Sequence, residues 1–180
     1  MIESAEVFLW GSRIGSVIRR EGTPYAEFEY DPDFVGRGIE PSPIEMPAVS
    51  KVYKFPSLPD ISFHGLPGLL SDSVPDKFGN AVIDVWLKAQ GRAPGSLSPI
   101  ERLCYTGSRG MGALEYRPAV FSGEDPSEAL HVERLAKLAD DVLRSRREAK
   151  AEFVPEMKRY APILRVGSSA GGARAKAIIG

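Results

Sequence analysis

The residues whose types and spacing best suit ligand chemistry lie near the end of the chain, in Gly167-Ser168-Ser169-Ala170-Gly171-Gly172-Ala173-Arg174-Ala175-Lys176. Small residues let backbone N–H groups converge on an anion without side-chain obstruction, and Arg174 and Lys176 add positive charge beside them. That is a composition suited to cradling phosphate. Apolar runs flank it, Ile163-Leu164 before and Ala177-Ile178-Ile179 after, which predicts a strand–loop–strand. The spacing is not that of a Walker A loop. Gly167 and Gly172 stand apart as G-x-x-x-x-G, but Ala173-Arg174 occupies the place where Lys-Ser/Thr is required. Nor does the stretch fit G-x-G-x-x-G. Composition alone leaves a phosphate cradle and an ordinary flexible turn as equal readings.

Elsewhere the reactive residue types are scattered. His64 and His131 are the two histidines of the chain, and neither has a neighbouring cysteine or carboxylate cluster. Surface or capping roles are expected of them, not metal binding or acid–base work. A single cysteine cannot form an internal disulfide, and with two distant histidines it cannot build a four-ligand zinc site. Cys104, set among apolar residues, reads as a buried inert thiol. Asp76-Lys77-Phe78-Gly79 superficially resembles D-F-G, but it opens an amphipathic helix far upstream of the glycine-rich loop and is assigned to packing. Neither Trp10 nor Trp86 belongs to a stacking platform. The basic run from Arg144 to Lys150 reads first as solvated cations complementing a helix C-terminus, and second as a contact for phosphate or an acidic partner.

These residues need a scaffold, and the 180-residue chain has the composition to build one. It is 43% apolar and 26% charged, which matches soluble globular proteins. The net charge of −1 argues against nucleic-acid binding by global basicity. That total hides a division: residues 1–70 carry 6 basic and 10 acidic side chains, residues 71–180 carry 17 and 14. No run reaches the roughly 20 apolar residues of a membrane-spanning helix. The acidic Met1-Ile2-Glu3-Ser4-Ala5-Glu6 lacks the features of a signal peptide, so a cytoplasmic location is expected.

The predicted class is α+β. Val7 to Trp10, Ile14 to Ile18 and Tyr25 to Tyr30 are β-favouring runs separated by turn compositions, and they predict an antiparallel meander. Residues 36–72 read as a long ordered connection with one strand at Val49 to Phe55. Phe78, Val82, Val85, Trp86 and Ala89 then share a helical face, with Pro75 in the first turn and Gly91 ending the helix. A second helix starts at Ser98-Pro99-Ile100-Glu101, where Ser is the N-cap, Pro the first helical residue and Glu the reciprocal cap, and it stops before Gly107. A third starts at Asp125-Pro126-Ser127-Glu128 and runs along Val132, Leu135, Leu138, Val142 and Leu143. The expected domains are residues 1–72, β-rich, and 73–180, a helical part followed by the strand–loop–strand.

The stretch Ser168-Ser169-Ala170-Gly171-Gly172-Ala173-Arg174-Ala175-Lys176 resembles the glycine-rich loop of the HipA family of serine/threonine kinase toxins, usually S-x-G-G-A-R-P-K, with Ala175 in place of the common Pro. Three other stretches are similar to the same family in the same order. They are Gly11-Ser12-Arg13-Ile14-Gly15 with Phe28-Glu29-Tyr30-Asp31, then residues 68–79 through Leu70-Ser71-Asp72 to Asp76-Lys77-Phe78-Gly79, then Gly110-Met111-Gly112-Ala113-Leu114. Together they cover nearly the whole chain.

The resemblance implies an ATP- and Mg²⁺-dependent protein kinase whose glycine-rich loop covers the ATP phosphates, placing Gly171, Gly172, Ala173 and Lys176 nearest them. Ser169 aligns with an autophosphorylated loop serine, and Ser168 is its nearest competitor. The implied substrate is a translation factor such as glutamyl-tRNA synthetase. The implied partner is a small helix-turn-helix antitoxin, which brings operator DNA into the complex. The catalytic strand lysine, catalytic-loop Asp and metal-binding Asp that phosphoryl transfer requires do not occur before Gly180. The chain is therefore expected to be the N-terminal region of a longer kinase, with no catalytic residue and no metal site of its own, and inactive alone. The alternative is a non-catalytic regulatory or antitoxin-docking module acting with a separate kinase chain.

Overall fold

Residues 4–110 and 112–118, together with Arg144, are described by a computed structural model. The chain divides into two units, Met1–Val74 with Leu97–Phe121 and Pro75–Ser96 with Ser122–Gly180. Of the second, only residues 75–96 and Arg144 are among those described. The predicted helix from Asp125 onward and the strand–loop–strand at 163–180 lie outside the described residues, apart from Arg144.

The first unit is built on a sheet. The strands β1 (Ser4–Leu9), β2 (Ser12–Ile18), β3 (Glu27–Tyr30) and β4 (Val52–Lys54) pair antiparallel with their sequence neighbours, and β5 (Leu114–Arg117) pairs antiparallel with β1. The order is β4-β3-β2-β1-β5. An antiparallel sheet followed by helices is the α+β class that the sequence predicts. Period-2 alternation sends Ala5, Val7, Val17, Phe28, Tyr30, Tyr53, Leu114 and Tyr116 inward. The register of β1 and β2 shifts between Val7 and Phe8, so that Val7 faces Gly15, Phe8 faces Arg13, and Ile14 is the extra residue of a bulge. Phe8, on the outward side, is covered by the Arg117 guanidinium, 4.1 Å from its ring centroid.

Trp10 departs from expectation. It does not extend the first strand but forms, with Gly11, the two-residue turn between β1 and β2, because Leu9 pairs with Ser12. Both turn residues take positive φ, 50° and 75°, the sign that a type I′ turn demands. Gly15 allows β3 to approach, since a Cβ there would stand 2.2 Å from the Glu29 carbonyl oxygen.

The connection from β3 to β4 is ordered by three side chains acting on three successive residues. The Tyr30 hydroxyl donates to the Met46 carbonyl at 2.8 Å and the Tyr53 hydroxyl to the Pro47 carbonyl at 2.5 Å, while the Ala48 N–H donates to the Glu40 carboxylate at 2.7 Å. Tyr30 also stacks on Phe34 and meets Phe28 and Tyr53 edge-on, which fills the centre of the core.

Two single-turn helices follow β4, α1 (Asp60–Phe63) and α2 (Gly68–Ser71), and α3 (Lys77–Ala89) belongs to the second unit. Its N-cap is Asp76, whose side chain accepts from the Gly79 N–H at 2.8 Å; Pro75 precedes the cap and is not in the first turn as expected. Carboxylate capping wins here because it satisfies an N–H that proline could not. Phe78, Val82, Val85 and Trp86 are buried as predicted, but so are Ala81, Ile83 and Leu87, so the buried surface is wider than one stripe. In the first unit, α4 (Pro99–Thr106) has the full capping box: Ser98 accepts from the Glu101 N–H at 3.1 Å, and the Glu101 carboxylate accepts from the Ser98 N–H at 2.8 Å. Ile100, Leu103 and Cys104 of α4 join the core of the sheet.

Candidate functional site

Around Ser73, side-chain hydrogen bonds bring together polar groups 33 and 43 residues apart in sequence. The turn after α2 holds Ser73 by its N–H, which donates to the Leu70 carbonyl at 3.0 Å. Alternation along β5 turns Tyr116 inward, and its hydroxyl donates to Ser73 Oγ at 2.7 Å. From the last turn of α4, the Thr106 hydroxyl lies 3.2 Å from the Ser73 carbonyl and 3.1 Å from the Arg102 carbonyl, and shares its proton between them. Burial pushes the Tyr116 hydroxyl far above the ordinary tyrosine range, with the Ser73 bond opposing and the Asp72 charge reinforcing that shift. Neutral hydroxyls and carbonyls make this cluster a joint between α2, α4 and β5. It fixes geometry and carries no activated nucleophile.

A second polar contact closes the end of α4. Arg109 donates to the Tyr105 carbonyl and lies over the Tyr105 ring, 5.0 Å from its centroid. A cation there complements the negative end of the helix. Burial lowers the Arg109 pKa and raises that of Tyr105 to about 12. Cys104 is fully buried, and burial first, with the Glu101 charge second, raises its thiol to about 11. A thiol so placed is a core residue at neutral pH.

At the other end of the sheet, Arg13 bridges Glu6 at 3.2 Å and Asp31 at 3.0 Å, while the Asp31 N–H donates to the Ile14 carbonyl at 2.8 Å. The stretches at 11–15 and 28–31 are thereby brought together. The topology carries the Trp10 turn and the β3–β4 connection to this same end. There Trp10 is 74% exposed, and Ile44, at the tip of the Ser42–Met46 turn, is 88% exposed.

The sequence-predicted ligand residues Gly171, Gly172, Ala173 and Lys176, and the phosphorylation candidates Ser169 and Ser168, lie outside the described residues, as does His131. His64 is the exposed C-cap of α1 at φ 54°, a capping position. Asp76 of the D-F-G-like stretch caps α3, and its second carboxylate oxygen is buried without a hydrogen-bond partner. Among the described residues, no group of three or more His, Cys, Asp or Glu side chains is placed to hold a metal ion, and no helix is long and apolar enough to cross a membrane. Sequence reasoning overlooks the pairing of Ser73 with Tyr116. The available signal was the alternation of Leu114 and Tyr116 with Glu115 and Arg117, which marks Tyr116 as inward-facing.

A family model described as the HipA N-terminal domain matches residues 5–117, more than half of the chain and the span from β1 through β5. No curated protein and no solved structure matches the chain.

Proposed function

Since the chain belongs to the family of the HipA N-terminal domain, we propose that it is the N-terminal part of a HipA-like serine/threonine protein kinase of a toxin–antitoxin system. The observation that carries this reading is the family match over residues 5–117, with the glycine-rich stretch at 168–176 following it in the order the resemblance requires. In the proposed reaction a substrate hydroxyl oxygen attacks the γ-phosphorus of ATP, the bond to the β,γ-bridging oxygen breaks, and ADP leaves while the hydroxyl proton passes to a base. Mg²⁺ would neutralise the phosphate charge. Gly171, Gly172, Ala173 and Lys176 would lie nearest the phosphates, and the groups that perform the transfer would come from outside this chain.

The proposed substrate is a translation factor such as glutamyl-tRNA synthetase, in the cytoplasm. The proposed partner is a helix-turn-helix antitoxin, through which alone the protein meets operator DNA. Phosphate on Ser169 would add about two negative charges beside the ATP phosphates and so switch the loop off. The residues of the sheet, α2 and α4 would serve as scaffold, with Ser73, Thr106 and Tyr116 holding the elements in register.

The test is phosphosite mapping of the full-length protein after incubation with ATP, Mg²⁺ and purified glutamyl-tRNA synthetase, beside the 180-residue chain alone. Phosphate on Ser169 and on the synthetase is expected from the full-length protein, and none from the chain alone. A full-length protein that transfers phosphate neither to itself nor to the synthetase overturns the kinase reading. Incorporation by the chain alone overturns its assignment as a non-catalytic part.

A further inference from the structure

We draw no further inference here: the strongest candidate, the pair of exposed apolar turn tips at Trp10 and Ile44 that the topology carries to one end of the sheet, carries nothing because no feature of the structure shows what covers them.

Discussion

The Tyr116 hydroxyl and Ser73 Oγ, 43 residues apart in sequence, are joined by a 2.7 Å hydrogen bond that ties β5 to the turn after α2. The two partners are not equivalent. Tyr116 is buried and Ser73 only partly so, so Ser73→Ala strands a buried phenol at a cost of about 1–3 kcal/mol, whereas Tyr116→Phe leaves a serine that water can reach, at about 0.5–1.5 kcal/mol. Urea unfolding of the chain should rank Ser73→Ala as the more destabilising, and the double variant should lose less than the two single losses added. Strict additivity would show that the bond contributes nothing.

Gly65 should be intolerant of a side chain for two reasons. Its φ is +71°, and an added Cβ would stand 2.3 Å from the Pro24 carbonyl oxygen, while the Gly65 carbonyl itself accepts from the Ala26 N–H at 2.7 Å. Gly22 shares the positive φ, at +78°, but has open space around it. Gly22→Ala is expected to cost about 1–2 kcal/mol from backbone strain alone, and Gly65→Ala about 1–3 kcal/mol more from overpacking. Thermal melts of the two variants make the comparison, and equal losses would refute the steric argument.

Alkali should destabilise this protein through its buried thiol and phenols. Burial raises the Cys104 thiol from 9.0 to about 11 and the hydroxyls of Tyr30 and Tyr105 from 10.0 to about 12. Each folded value lies above the unfolded one, so the unfolded chain releases these protons first. Their contribution is intact below pH 9 and is lost progressively as pH rises from about 9 to about 12. The melting temperature should fall across that window, with tyrosinate absorbance growing alongside the loss of helical circular dichroism. Full tyrosinate formation at the ordinary tyrosine value in a still-folded protein would contradict this.

The capping box of α4 offers a local test. Ser98→Ala removes the acceptor for the Glu101 N–H and should cost about 0.5–2 kcal/mol. Glu101→Gln keeps an oxygen that can accept from the Ser98 N–H and should cost less than Glu101→Ala. Denaturant midpoints measured on the three variants decide the order.

Those contrasts also mark what the sequence made legible. Helix α4 was readable to its caps because Ser98, Pro99, Glu101 and Gly107 lie within ten positions of one another and act on the same backbone groups. The β1–β3 meander was readable for the same reason. β5 was not, since its four residues follow a glycine-rich stretch and their partner β1 lies about a hundred residues upstream. Trp10 misled because its β propensity is high, yet the tight pairing of Leu9 with Ser12 forces it into the turn. The Ser73–Tyr116 joint was half legible, since alternation along Leu114–Arg117 turns Tyr116 inward but only the tertiary fold brings Ser73 to its hydroxyl. The proposed phosphate loop was visible as composition, and residues 168–176 lie outside the described part of the molecule.

The position of β1 between β2 and β5 matters for how the chain is made. On a ribosome, β2 is available almost at once, so one side of β1 can pair early. The other side, where Glu6 to Leu9 await Leu114 to Arg117, stays open while most of the first 117 residues are being added. An unpaired strand edge is a template for other chains. The nascent protein is therefore most exposed to intermolecular pairing during that interval, and translation speed between residues 18 and 114 sets how long the exposure lasts.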